Sequence, residues 1–185
     1  MECVLHLKEL AMKKGFTMIE LIFVIVILGI LASVAVPRLA STREDAEISA
    51  TVANLRTLIS DASSYYVANG TFKPKGKDAN WRDITNVPLR DGKNLVQGNT
   101  AASKAVHLSA SGTNCIKIEL KDRAAGAGTA AATPAHIAIS QEGKGKYICD
   151  EIHKAEPVKA YLDSKLPGGK TAGVALGASA RIYNN

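Results

Sequence analysis

The strongest pattern in the chain is an apolar run from Phe16 to Val36, in which Glu20 is the only ionisable side chain. A run of 18 or more apolar residues is long enough to cross a bilayer core of roughly 30 Å. A carboxylate deep in such a run costs roughly 2.5–3.5 kcal/mol on insertion scales. The pattern therefore predicts a membrane-spanning helix whose single charge has a specific use.

Beyond Pro37 the pattern becomes that of an amphipathic helix. Apolar side chains recur at spacings of four and three, which places them on one face of a helix. These residues are Ile48, Val52, Leu55, Ile59, Ala62 and Tyr66. Pro37 predicts a kink rather than an end, and Gly29 is expected to loosen the same region. Asn69 and Gly70 tolerate a left-handed backbone and predict the end of a helix over 16–69, roughly 80 Å long.

A small antiparallel sheet is expected after residue 70. Alternation over 115–120 predicts a strand with Ile116, Ile118 and Leu120 on one face. Apolar segments 136–139 and 147–149 flank Glu142-Gly143-Lys144-Gly145, which predicts a hairpin turn between two further strands. The fold class predicted is α+β, with a long N-terminal helix packed on this sheet.

Other segments give coarser expectations. Residues 81–89 and 94–106 are loop-rich with one short helix, and 124–135 predicts an exposed loop because it is rich in Ala, Gly and Thr. Residues 156–164 predict a short helix with Pro157 near its start. Residues 180–183 are expected to form a final edge strand.

Cleavage between Gly15 and Phe16 would give Glu20 a partner. The new α-amine has a reference pKa of roughly 7.7–8.0 and would be mostly cationic. On one helix Phe16 and Glu20 lie at i and i+4, on the same face. On neighbouring helices the amine of one subunit reaches the carboxylate of the next, which makes the charge an assembly device.

These residues carry a resemblance to a known family. The sequence Lys13-Lys14-Gly15-Phe16-Thr17-Met18-Ile19-Glu20-Leu21 resembles the class III prepilin signal of type IV pilins and type II secretion pseudopilins. The similarity continues through 27–32 and 35–37, ends near 43–46, and covers about 30 residues. It implies a pilin-like fold, cleavage after Gly15 by a prepilin peptidase, and methylation of the Phe16 amine. It also implies packing of the apolar helix into a filament of like subunits, built on an inner-membrane assembly platform.

Four segments follow from this interpretation. Residues 1–15 form the leader, with Met12 as an alternative start. Residues 16–37 form the membrane-spanning, filament-core helix, residues 38–69 its amphipathic continuation, and residues 70–185 an exported globular α+β head. The lysines that precede the span mark the cytoplasmic side, so we expect a single-pass inner-membrane protein with a periplasmic head that later enters a periplasmic or extracellular filament.

Two simpler interpretations of the apolar run are open. One is a secretory signal peptide cleaved at Ser33-Val34-Ala35. Glu20 inside the apolar part and a helical pattern that continues past this site oppose it. The other is a plain single-span anchor with Glu20 reaching toward the interface. That interpretation accounts for neither the Gly15-Phe16 sequence nor Pro37.

The cysteines indicate an exported domain. Cys3 lies in the leader, so the mature chain keeps Cys115 and Cys149. An even pair in an exported domain favours one disulfide, worth roughly 3–4 kcal/mol for a loop of about 35 residues. Two separate buried thiols are the alternative. Their spacing matches no zinc pattern.

The sequence offers little for catalysis or ligand binding. Gly168-Gly169-Lys170-Thr171 resembles the end of a phosphate-binding loop but is interpreted as a turn. The cluster of Lys73, Lys75 and Lys77 favours a solvated turn over a DNA contact, and no nucleic acid is expected despite the net charge of +6. No cofactor is expected either. A calcium site built from Asp150, Glu151 and Asp163 is the alternative to ordinary surface acids.

The sequence thus favours a non-enzymatic structural subunit, a pseudopilin of a type II secretion or type IV pilus-like filament. A type IV pilin or minor pilin with an adhesive or DNA-uptake role is the alternative. An exported enzyme on a single-span anchor is a remote third, since no catalytic constellation is visible.

Overall fold

The computed structural model describes residues 15–96, 100–124, 133–166 and 173–176. The helices are α1 (Met18–Asn69), α2 (Trp81–Ile84), α3 (Tyr147–Lys154) and α4 (Glu156–Asp163), with a 3-10 turn at Pro74–Gly76. The strands are β1 (Arg90–Asp91), β2 (Asn94–Leu95), β3 (Val106–Ala110), β4 (Thr113–Lys121), β5 (His136–Gln141) and β6 (Val174–Ala175). The chain divides into two compact units, residues 1–42 and 43–185.

Within the first unit, the described structure is the N-terminal part of α1. The helix is long and apolar enough to cross a membrane by length and composition. It continues through Pro37, as predicted, while the kink itself stays a prediction. The helix begins at Met18 rather than at Phe16, because Thr17 caps it, as described below.

In the second unit, α1 contributes one face to a single apolar core. Leu55, Leu58 and Ala62 are fully buried, and Ile48, Val52 and Tyr66 pack at the margin. The predicted apolar face is therefore confirmed, with Leu58 as an additional member. The largest buried side chains from elsewhere are Trp81, Leu108, Ile116, Ile118, Ile137, Ile152, Val106 and Val158.

The sheet is antiparallel throughout, in the order β2-β1-β3-β4-β5-β6. The α+β class is confirmed, and Ile116, Ile118 and Leu120 are buried as the alternation predicted. The β3–β4 ladder contains a bulge: Leu108 pairs with Ile116 and Ser109 pairs with Asn114, so Cys115 is the extra residue. A bulge bends its strand and re-aims a side chain, which is why Cys115 and Ile116 are both buried although they are consecutive.

The predicted hairpin across Glu142–Gly145 is wrong, because residues 147–149 form the start of α3 and not a strand. A run of three apolar residues is too short to distinguish a strand from a helix by its pattern. Ile148, Cys149, Ile152 and His153 are all buried, and their spacing of three and four residues is that of a helix. The disulfide therefore joins β4 to a helix, not the first strand to the last strand of three.

The remaining expectations differ in outcome. The long helix ends at Asn69 as predicted, and Gly70 follows with a φ of 70°. The helix expected over 156–164 is α4, with Pro157 at its start. β3 was not predicted, although it alternates between buried and half-buried residues. The strand expected at 180–183 and most of the loop expected at 124–135 lie outside the described residues.

Candidate processing and assembly site

The start of α1 is a reciprocal cap between Thr17 and Glu20. Glu20 Oε2 accepts hydrogen bonds from the Thr17 backbone N–H at 2.8 Å and from Thr17 Oγ1 at 2.7 Å. The Glu20 backbone N–H donates to Thr17 Oγ1 at 3.3 Å. This is a capping box, in which a Thr and a Glu three residues later satisfy backbone donors that a helix start leaves unpaired.

The cap identifies a functional residue that the sequence interpretation missed. The sequence interpretation pairs Glu20 with the Phe16 amine and gives Thr17 no role. The signal was the spacing Thr17-Met18-Ile19-Glu20, which is the capping-box pattern immediately before an apolar helix. Because α1 begins after Thr17, Phe16 precedes the helix, and the i to i+4 geometry predicted for Phe16 and Glu20 does not describe the uncleaved chain.

The predicted cleavage site lies outside regular structure. Gly15 and Phe16 precede the helix, and the Phe16 residue is 87% exposed. A Cβ atom built at Gly15 would meet nothing within 4 Å, so the described fold does not itself require a glycine there. Exposed backbone outside regular structure leaves a peptide bond accessible to an enzyme.

The apolar surface of α1 after this site is exposed on all sides. Every described side chain from 15 to 42 is exposed, including large ones such as Phe23, Ile30 and Leu31. A helix that is apolar all round is normally buried in a membrane or among other helices. Gly29, on the same segment, also has open space around it within the described chain.

The comparisons with known proteins match this segment. A family model described as the prokaryotic N-terminal methylation motif matches residues 10–36. The matched residues include the start of α1 and most of its apolar segment. The match contains Gly15 and Phe16, which flank the predicted cleavage, and Thr17 and Glu20, which form the cap.

Two curated proteins extend the similarity further. The chain is 38% identical over 60 residues to the "Type II secretion system core protein G" of Dickeya chrysanthemi, covering 32% of this chain and 39% of that protein. The protein of the same name from Pectobacterium carotovorum subsp. carotovorum is also 38% identical over 60 residues, covering 32% of this chain and 38% of that protein. The chain thus aligns with less than half the length of these two proteins. No solved structure gives a significant match.

The second unit contains the predicted disulfide between Cys115 and Cys149. Both cysteines are fully buried. The Cys115 carbonyl accepts two hydrogen bonds, from the Glu142 backbone N–H at 2.8 Å and from His153 Nε2 at 2.7 Å. Gly143, with a φ of 66°, lies so close that a Cβ atom would come within 2.7 Å of Cys149 Sγ.

The acids suggested for calcium are not assembled into one group. Asp150 accepts a hydrogen bond from the Gly145 N–H, and Glu151 pairs with Lys154 at 2.8 Å. Among the residues that the structure describes, no group of three or more His, Cys, Asp or Glu side chains is placed to hold a metal ion.

The three lysines lie on an exposed turn, as the solvated-turn interpretation predicted. Lys73, Lys75 and Lys77 are exposed around the short 3-10 turn, and Lys73 Nζ pairs with Asp78 at 3.3 Å. The segment 168–171, interpreted as a turn, lies outside the described residues.

Proposed function

We propose that this chain is a structural subunit of a filament, a pseudopilin of a type II secretion system or a related type IV pilus-like assembly. It enters the inner membrane as a precursor, is cleaved after Gly15 by a prepilin peptidase, methylated on the Phe16 amine and assembled with other subunits. The observation that carries the proposal is the coincidence of the methylation motif with a helix whose apolar side chains are exposed on every side.

The exposed apolar surface supports a helix that is covered first by lipid and later by neighbouring subunits. Each Å² of apolar surface left in water costs roughly 25 cal/mol, so a helix lined with exposed Ile, Leu and Val needs cover. Lipid supplies that cover before assembly, and the helices of neighbouring subunits supply it afterwards. Lys13 and Lys14 precede the helix and favour a cytoplasmic N-terminus, with the head on the opposite side of the membrane.

Glu20 has the geometry for a role in both states. The cap uses one of its oxygens, Oε2, for both bonds from Thr17. Within the described residues Oε1 accepts no hydrogen bond, which leaves it for the Phe16 amine of another subunit. A cationic amine and a carboxylate paired in a low-dielectric filament core would fix the stagger between neighbouring subunits.

A mass measurement tests the processing step directly. We expect protein extracted from membranes to have lost residues 1–15 and to carry one methyl group on Phe16. Gly15→Ala should be processed better than Gly15→Leu, because the described fold has room for both side chains and only the peptidase would distinguish them. An uncut leader, or a mature chain that begins at Val36, would contradict the proposal.

A further inference from the structure

The tip of the β3–β4 hairpin is held to α1 by one carboxylate. Glu47 Oε2 accepts hydrogen bonds from the Ser111 backbone N–H at 2.6 Å and from Ser111 Oγ at 2.8 Å, across 64 residues of sequence. The second oxygen, Oε1, accepts a hydrogen bond from Arg43 Nε at 3.2 Å. Residues 43–46 of α1 are exposed, whereas Glu47 is half-buried, so contact between this part of the helix and the head begins at Glu47.

Ser111 is an unusual residue for its position. The hairpin has a two-residue turn, Ser111-Gly112, with φ values of 45° and 74°. Such turns need positive φ at both residues, which Gly, Asn and Asp adopt most easily. A serine there costs roughly 1–2 kcal/mol of backbone strain. Its N–H and hydroxyl both bind Glu47, and this contact offsets the strain.

The turn and the bulge at Cys115 depend on each other. With the two-residue turn, Ala110 pairs with Thr113, and one extra residue must be accommodated before Leu108 pairs with Ile116. If the turn relaxed to three residues, Ala110 would face Asn114 and Ser109 would face Cys115, and the bulge would disappear. The same extra residue therefore lies either in the turn or in the bulge.

The bulge gives Cys115 its surroundings. Its carbonyl accepts the Glu142 N–H in continuation of the β4–β5 register, in which Ile116 pairs with Gln141, so that bond does not depend on the bulge. On the β3 side Cys115 lies outside the ladder, its carbonyl also accepts a hydrogen bond from His153 Nε2, and its sulfur is bonded to Cys149 on α3. As an ordinary ladder residue opposite Ser109, Cys115 would point to the sheet face opposite that of Ile116, and its sulfur would lose this position beside Cys149. We propose that Glu47 selects the bulged register of the β3–β4 hairpin and thereby keeps Cys115 positioned to bond with Cys149.

A thiol–disulfide equilibrium tests the proposal on the full chain in detergent. Reduced protein and oxidised glutathione exchange to give the Cys115–Cys149 bond and two molecules of reduced glutathione, which receive the two electrons and the two thiol protons. The ratio of protein forms at known glutathione concentrations gives the effective concentration of the two thiols. We expect Glu47→Ala to lower it on the order of tenfold, since a charged hydrogen-bond acceptor is lost while alanine keeps the helix.

Matched variants separate register selection from general destabilisation. Asp61→Ala removes another α1 carboxylate, which accepts a hydrogen bond of 2.6 Å from Thr85 Oγ1. This contact does not involve the hairpin, so Asp61→Ala should change the effective concentration of the two thiols less. Ser111→Gly adopts the turn without strain, so Glu47→Ala should have little further effect in that background. Equal effects of Glu47→Ala and Asp61→Ala, or an undiminished effect of Glu47→Ala beside Ser111→Gly, would overturn the proposal. Arg43→Ala, which removes only the exposed partner, should behave like the wild type.

Discussion

Glu20 and Glu47 lie on the same helix and show how differently its two parts are stabilised. Glu20 binds Thr17, three residues away, in a segment where every described side chain from 15 to 42 is exposed. Glu47 binds Ser111, 64 residues away, at the point where α1 begins to pack on the head. The polar contacts and burial of the second segment are explained within one chain, whereas the apolar surface of the first needs other molecules.

The difference separates assembly from folding. Changes in the exposed apolar segment should alter insertion, processing or filament formation and leave the stability of the head unchanged. Changes in the head should alter its free energy of unfolding first. The property that responds to a substitution therefore shows which of the two roles its region has.

Glu20→Gln gives the largest expected effect and tests the use of the charge. Glutamine retains the side-chain oxygen of a capping box, so α1 should still begin at Met18. The Phe16 amine of another subunit would lose its counter-charge, and breaking a buried pair typically costs roughly 3–5 kcal/mol. Filaments counted by electron microscopy should nearly disappear, while the processed mass of the protein stays normal.

Two comparison variants decide between the cap and the charge. Glu20→Ala removes both the cap and the charge and should also prevent assembly. Membrane insertion should be retained, because the apolar segment no longer contains a charged side chain. Thr17→Val removes only the cap and should reduce filament numbers less. If Glu20→Gln assembles normally and Thr17→Val does not, Glu20 serves helix capping alone.

The disulfide gives the next largest effect, and it belongs to the head. Replacing Cys115 and Cys149 together by alanine should lower the free energy of unfolding by roughly 3–4 kcal/mol, because the bond closes a loop with a sequence separation of 34. Denaturant unfolding of the wild type with and without reductant should give the same difference. Alkylation of unreduced wild-type protein should find neither cysteine free, and labelling of both would contradict the bond.

How much of the molecule could be predicted from sequence also differs between the two regions. The apolar run, Glu20 and the end of α1 at Asn69 depend on local pattern, and pattern was sufficient for them. Thr17 is recognisable by its spacing to Glu20, but the same carboxylate also fits a charge pair with the Phe16 amine, and the pattern alone does not distinguish the two partners.

In the head, local pattern was insufficient where long-range contacts decide. The strand at β4 and the cysteine pairing were predicted correctly, but 147–149 was assigned to a strand because its three apolar residues fit either structure. Ser111 in a left-handed conformation and the bulge at Cys115 depend on Glu47 and on α3, which are distant in sequence. No short-range signal in the sequence specifies such contacts.

Gly143→Ala should destabilise the head through the packing around the disulfide. The φ of Gly143 is 66°, and a Cβ atom would come within 2.6 Å of the Asn114 carbonyl oxygen and 2.7 Å of Cys149 Sγ. Left-handed strain of roughly 1–2 kcal/mol and overpacking of roughly 1–3 kcal/mol should add in the free energy of unfolding.

Gly145 provides a matched control for that variant. Its φ of 80° is equally left-handed, but a Cβ atom there would meet nothing within 4 Å. Gly145→Ala should therefore show the strain alone, and Gly143→Ala should be less stable than Gly145→Ala. Equal losses in the two variants would mean that the surroundings of the disulfide tolerate the extra methyl group.

The smallest effect is expected at Glu119, on the half-buried face of β4. Hydrogen bonds from the ammonium groups of Lys117 and Lys121, at 2.7 and 2.6 Å, lower the pKa of Glu119 from 4.5 to about 2. A carboxyl group whose pKa falls on folding contributes stability above its unfolded pKa. The contribution is lost as the pH falls from 4.5 to about 2. Both lysines are 40% or more exposed, so solvent screening limits the contribution to about 1 kcal/mol or less.

Glu119→Gln should therefore be slightly less stable than the wild type near neutral pH, and denaturant unfolding at successive pH values should show the difference shrinking toward zero at about pH 2. Glu44→Gln, on the exposed surface of α1, should change stability less near neutral pH. A difference between wild type and Glu119→Gln that did not depend on pH would show that Glu119 acts through packing. The charges on this face of the sheet would then contribute nothing measurable to the stability of the head.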